Sequence, residues 1–317
     1  MGALKSRVPS EAEGCDAVLV IGFGAPSCAE EVRPYLDRVL RGRNVPRERY
    51  EEVVRHYERI GYRSPYNDLT INQAVALRDA LAKSGIEVPV EVGMRNTPPY
   101  VEDALLSLAE RGARRALGFI MAPHRSEASW DRYLAAVAQA QFNVSRAAVQ
   151  VEYPAPWHTD PLFINAIASR IREALARLDP DDQLAAWLIF TAHSIPIAMK
   201  NAPKYAEQVV ETARLVAAQL RISNWRVAFQ SRSGDPSEPW LEPSIGAALR
   251  EIGSGGVAVV VPIGFLVDHV EALYDLDIEA AEIARQAGVR MERAPTVGDH
   301  PMFIQMMAGI ARSHLRK

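Results

Sequence analysis

Cysteine is almost absent from this chain. Two occur in 317 residues, Cys15 and Cys28; that is too few for a four-cysteine iron–sulfur cluster, and their spacing matches no zinc motif. They read as unpaired thiols of a reducing compartment. Also missing is any apolar run near the roughly 20 residues that cross a bilayer, and the N-terminus lacks the continuous apolar core of a secretory signal. A cytoplasmic protein without a transmembrane segment is expected. Excess positive charge is missing too: the formal net charge is −3, so neither nucleic acid nor an anionic membrane surface is a natural partner. Low-complexity tracts and short solenoid repeats are absent. Residues 1–14 read as a polar, disordered leader. Met1 to Ser6 fits the bare N-myristoylation pattern, which is too short to carry weight.

A nucleotide fingerprint is lacking as well. Gly22-Phe23-Gly24 could turn a strand into a phosphate-binding helix, but no third glycine and no Walker lysine follow. These glycines are expected instead to let the backbone approach a flat macrocycle, with Phe23 against its face.

What is present is periodicity. Apolar, β-branched stretches at 17–22, 88–93, 115–121, 149–153, 185–191, 226–230, 257–263 and 290–292 alternate with helical patterns. The helices expected are 28–40, 46–60, 70–84, 100–111, 127–140, 160–178, 205–220, 244–252, 270–287 and 301–314. Such alternation predicts an α/β fold with parallel sheets covered by helices on both faces. The length exceeds what one compact core usually supports. The pattern also occurs twice, with a break at Pro154-Ala155-Pro156. Two similar doubly wound, Rossmann-like lobes are therefore expected, 15–155 and 156–317, facing each other across a central cleft.

Two stretches carry chemistry. Between Val267 and Glu279, three carboxylates, Glu271, Asp275 and Glu279, stand four residues apart on one side of a helix, with no Lys or Arg to offset them. A solvated acidic face is the ordinary explanation. The row, however, begins just past the carboxyl end of a buried strand, where open α/β sheets place ligands; cations moving along it or protons leaving a reaction centre would compensate the repulsion. In Leu188 to Pro196 a second apolar strand runs into His193, an imidazole that ligates metals or accepts a proton near neutral pH.

In order along the chain stand Ile21-Gly22-Phe23-Gly24-Ala25-Pro26, Arg41-Gly42-Arg43, Tyr57-Glu58-Arg59-Ile60-Gly61, Ser64-Pro65, Gly93-Met94-Arg95 and Ala122-Pro123-His124. Thr191-Ala192-His193-Ser194-Ile195-Pro196, Gln230-Ser231-Arg232-Ser233-Gly234, Pro239-Trp240-Leu241 and the stretch from Pro262 to Glu279 follow. Over nearly its whole length the sequence resembles the ferrochelatases, which insert ferrous iron into porphyrins. Its Arg-Gly-Arg and Ala-Pro-His wording is similar to the bacterial branch acting on coproporphyrin III rather than the protoporphyrin IX branch.

The resemblance implies a chelatase-like fold. It also implies His193 and Glu271 as the paired metal-site residues, beside which Asp275 and Glu279 stand as an accessory acidic row. Phe23, Arg41, Tyr57, Ser64 and Tyr133 match positions near the porphyrin. Whether His193 acts as ligand or base stays open. Iron and porphyrin are then the substrates, no permanently bound cofactor is expected, and neighbouring haem-pathway enzymes are candidate transient partners. The chain departs from the family pattern at Phe23, where some relatives use a tyrosine ligand, at Leu40 and His56, where some use arginines, and at Tyr62 in place of a glycine. Actinobacterial relatives often hold an iron–sulfur cluster; Ala128 and the cysteine-free stretches around Lys200 and Asn224 stand where its ligands would be, so none is expected. Protoporphyrin IX as substrate, and a non-catalytic haem or metal carrier on the same fold, are the alternatives.

Overall fold

The computed structural model of the chain describes residues 14–42, 45–144, 149–233 and 238–316. The expected leader, apart from Gly14, lies outside them, as do Arg43 and Gly234. Four strands, β1 (Ala17–Gly22), β2 (Val90–Met94), β3 (Arg115–Ile120) and β4 (Gln150–Glu152), form one parallel sheet in the order β2-β1-β3-β4. Four more, β5 (Trp187–His193), β6 (Trp225–Gln230), β7 (Val257–Val261) and β8 (Arg290–Arg293), form a second in the same relative order, β6-β5-β7-β8. All eight fall on expected strands. β5 runs two residues further than expected because His193 pairs in register with Gln230. In each sheet the first strand lies between the second and third, the arrangement that opens a crevice at the strands' carboxyl ends.

Alternation along each strand decides what covers each face. Val18 and Val20 of β1 and Leu117 and Phe119 of β3 share one core with Leu188 and Phe190 of β5 and Val259 and Val261 of β7. Helices α3 (Tyr66–Ala82), α6 (Pro161–Leu175), α8 (Ala202–Leu220) and α12 (Pro301–His314) lie in that core. The opposite faces are covered separately. Ala17, Leu19 and Ile21 pack under α4 (Val101–Glu110) and α5 (Arg132–Val144), and Ile189, Ala228 and Val260 under α9 (Ile245–Ile252) and α11 (Ala281–Ala287). The two halves thus share one continuous interior. α12 follows the second sheet in sequence but packs on α3 of the first half and on α6, and Cys15 bridges to Leu315.

Two helices, α1 (Ala29–Val39) and α2 (Arg47–Arg59), are inserted between β1 and α3. Their apolar faces, with Val32, Tyr35, Leu36 and Tyr57, pack on each other and reach Phe23 and Val270. A short helix not expected from the sequence, α7 (Pro180–Ala185), precedes β5. The helices expected at 127–140 and 270–287 are not continuous α-helices. The first opens with a π segment, Glu127–Asp131, before α5; the second is α10 (Val270–Leu273), a π segment, Asp275–Ala280, and then α11. At the second break the Tyr274 carbonyl accepts from Ile278 N at 3.1 Å and from Glu279 N at 2.9 Å, the wider turn that distinguishes π from α.

Candidate active site

His193 ends β5 and Glu271 opens α10, just beyond β7, so neighbouring strands of one sheet deliver both to the same crevice. The structure brings them together: His193 Nε2 is 3.5 Å from Glu271 Oε1, and each side chain keeps about a third of its surface exposed, 31% and 36%. The His193 ring is aimed by Nδ1–H donation to the Ser194 carbonyl, and its backbone carbonyl accepts from Tyr205 Oη at 2.9 Å. Glu271 is held through its backbone. Its N–H donates to His269 Nδ1, the helix cap, at 3.2 Å, and its carbonyl accepts from Gln230 Nε2 at 2.7 Å.

Electrostatics follow from this geometry. Burial alone would lower the His193 imidazole, but the Glu271 charge and contact, with the Ser194 carbonyl, outweigh it and raise its pKa to about 9. Burial alone would raise Glu271, but His193 and His269 bring it down to about 2. At neutral pH the pair is imidazolium facing carboxylate.

The three carboxylates of the row differ in burial. Asp275 is buried at 7% exposure, accepts from the Ser231 hydroxyl, and is raised to about 7 by burial and by the Glu271 charge. Glu279 is exposed and is raised by desolvation and by Glu52, with Arg49 opposing. The offsetting charges that the local sequence lacks come from elsewhere. Arg49 of α2 pairs with Glu52 at 2.7 Å, and Arg293 of β8 takes the neighbouring Asp268 and Asp277. Among the described residues no group of three or more His, Cys, Asp and Glu gathers at metal-binding range.

The expected porphyrin residues are placed unevenly. Tyr57 and Tyr133 are buried at 2% and 4% exposure, Tyr57 where α1 and α2 pack together and Tyr133 under β1 and β3; burial chiefly, and the Glu271 charge in addition, raise the pKa of both. Phe23 is half-buried, meets Tyr35 edge-on at 6.5 Å and carries Arg95 5.4 Å over its face. Ser64 is buried, and its Oγ accepts from Tyr66 N at 3.4 Å as α3 begins. Arg41 is exposed, just past the end of α1. Gly22 and Gly24 pack closely on their own chain: a Cβ on Gly22 would lie 2.5 Å from Met94 Sδ, and one on Gly24, at φ +82°, 2.9 Å from Thr97 N. Close approach to Met94 at the end of β2 and to Thr97 just beyond it is enough to require glycine at both positions.

Several site residues carried no role in the sequence reading. Gln230 and Ser231 lie in a quoted motif, so position could have signalled them. Tyr35 and Tyr205 had no such signal; on helices they look like any amphipathic tyrosine. Gln73 of α3, fully buried, donates to the carbonyls of Gly298 at 2.7 Å and Leu266 at 3.4 Å, tying the first half to the loop that leads to Glu271.

Known proteins agree with this architecture. A sequence model of the Ferrochelatase family matches residues 15–315. The chain is 37% identical to the Ferrochelatase of Rhodopirellula baltica over 311 residues, covering 97% of this chain and 88% of that one. It is 38% identical to the Coproporphyrin III ferrochelatase of Mycolicibacterium vanbaalenii, covering 93% and 88%. In structure it is similar to the sirohydrochlorin chelatase SirB of Bacillus subtilis subspecies spizizenii, with TM-score 0.55 and 13% identity over 94% of each chain, and to CbiX, with TM-score 0.55 and 16% identity over 94% and 99%.

Proposed function

The chain belongs to the ferrochelatase family, enzymes that insert iron into a porphyrin, and we propose that its porphyrin is coproporphyrin III, with His193 and Glu271 as the reacting pair. The observation that carries the site assignment is their approach to 3.5 Å at adjoining strand ends, with side chains partly open to the crevice. For the porphyrin, support comes from relatives named for coproporphyrin III at 38% identity over 93% to 95% of this chain.

Insertion replaces two pyrrole N–H protons with Fe2+ and releases two protons. Glu271, ionised at any pH above about 2, offers an anionic oxygen that suits ferrous iron. His193 starts protonated, so it takes a metal or a pyrrole proton only after its Nε2 proton has left. Asp275, poised at about 7 and next along the row, is the group fitted to receive it. Phe23, Tyr57 and Tyr133 supply ring wall, while Arg41 and Ser64 are the donors for propionates, Arg41 with the stronger carboxylate pairing. With two cysteines, Cys15 buried and Cys28 exposed, the protein works without an iron–sulfur cluster. Among the described residues no helix is long and apolar enough to cross a membrane.

The test is anaerobic turnover of Fe2+ with coproporphyrin III and protoporphyrin IX in parallel. Higher kcat/KM with the four-propionate ring is expected, since a well-formed charge-assisted contact contributes about 1.5–3 kcal/mol. Equal or better efficiency with protoporphyrin IX would overturn the substrate, and porphyrin binding without turnover would leave a carrier.

A further inference from the structure

α2 of the first half lies along the acidic row of the second. Arg49 Nη2 donates to the Arg232 carbonyl at 3.3 Å; Glu52 is close enough to Glu279 to raise its pKa. Two turns beyond Arg49, the His56 ring stacks on Tyr274 with centroids 3.7 Å apart and planes 12° from parallel. Tyr274 is the residue whose carbonyl closes the π turn, accepting from both Ile278 and Glu279. A π turn takes one more residue per hydrogen-bonded ring than an α turn. Its register therefore decides which way Asp275 and Glu279 point relative to Glu271. A side chain clamped at Tyr274 from the opposite half acts on that register directly. His56 itself is mostly covered, at 16% side-chain exposure, and its Nε2 lies 3.9 Å from Glu52 Oε1. Burial and Arg49 bring its pKa down to about 4, so a neutral ring does the stacking.

We propose that His56 is a positioning residue for iron: by stacking on Tyr274 it holds the π turn that aims Asp275 and Glu279 along the approach to Glu271. This rests on the reading of His193, Glu271 and the row as the iron-handling groups. The ring's flat face is what the contact uses, so the role should follow shape rather than imidazole chemistry.

The experiment compares the full-length parent with H56A, H56F and H56Q in anaerobic Fe2+ insertion into coproporphyrin III, varying each substrate separately. H56A and H56Q should raise KM for Fe2+ about two- to tenfold, the scale of one lost aromatic pair, with smaller changes in kcat and in KM for the porphyrin. H56F, which can stack, should restore the parent's iron dependence. Should H56A fail to fold, H56Q, which keeps much of the volume and loses the ring, carries the test. Iron dependence of H56A and H56Q superimposable on the parent would overturn the proposal, as would an H56F no better than H56Q. A parent that inserts no iron would sink the functional reading and this inference with it; E271Q, run alongside, separates the two cases.

Discussion

His193 Nε2 and Glu271 Oε1 face each other across 3.5 Å, and each fixes the other's charge: the carboxylate holds the imidazole protonated and the imidazolium holds the carboxyl ionised. Removing either partner therefore changes two groups. H193A deletes the imidazole and leaves Glu271 with the burial that raises its pKa. Insertion should nearly vanish while coproporphyrin binding, measured by fluorescence titration, stays detectable, because the substitution leaves the proposed ring wall and propionate donors in place. Near-normal turnover by H193A would remove His193 from the mechanism.

The same charges predict how stability changes with pH. His193 is raised from 6.5 to about 9, so its contribution is full below about 6.5 and is lost as pH rises through 9. Glu271 is lowered from 4.5 to about 2; its contribution is present above about 4.5 and is lost as pH falls through 2. Asp275 runs the other way. Raised from 3.8 to about 7, it binds a proton more tightly folded than unfolded, so it makes the fold progressively less stable from about pH 4 to 7. D275N should therefore melt higher than the parent at pH 7.5, with the gap shrinking toward pH 4. Parallel melting curves across that range would show that Asp275 ionises alike in both states.

Gln230 gives a sharper test of the break between α10 and the π segment. Its amide donates to the Glu271 carbonyl from a residue at 3% exposure. Q230M keeps the volume and leaves that carbonyl without its side-chain donor, a loss of roughly 1–3 kcal/mol. Its Tm should fall, and kcat should drop more than KM for porphyrin if Glu271 shifts with its backbone. A variant equal to the parent in both would show that the helix holds Glu271 unaided.

The strands were legible because buried parallel strands are written as β-branched runs, and Val257 to Val261 could be little else. His193 and Glu271 were legible as strand-end residues. Their pairing came from the family resemblance, since nothing local connects β5 with α10. The π turns were hidden for a physical reason: residues four apart are neighbours in either register, so the spacing of Glu271, Asp275 and Glu279 fits both. Periodicity likewise shows that Val18 and Phe190 are buried but not that they share one core. The contacts that join the halves, such as Gln73 to the Gly298 carbonyl and His56 on Tyr274, leave no mark on either segment alone.

Along the row the effects of substitution should differ in kind, because exposure does. Glu271 faces His193, Asp275 is buried one turn on with Ser231 bound to it, and Glu279 is exposed beside Glu52 and Arg49. E271Q removes the carboxylate charge and the partner that holds His193 protonated, so kcat should fall severely at every iron concentration. D275N removes a proton acceptor near neutrality and should slow turnover moderately, most near pH 7, while stabilising the fold. E279Q touches only the outer end and should show mainly as a raised KM for Fe2+. Raising salt screens an exposed charge more than a buried one, so the E279Q defect should shrink toward the parent at high ionic strength while that of D275N persists. Iron-dependence curves at low and high salt, with thermal melts on all three variants, make the comparison. Full activity of D275N and E279Q at limiting iron would mean that the row beyond Glu271 serves structure alone.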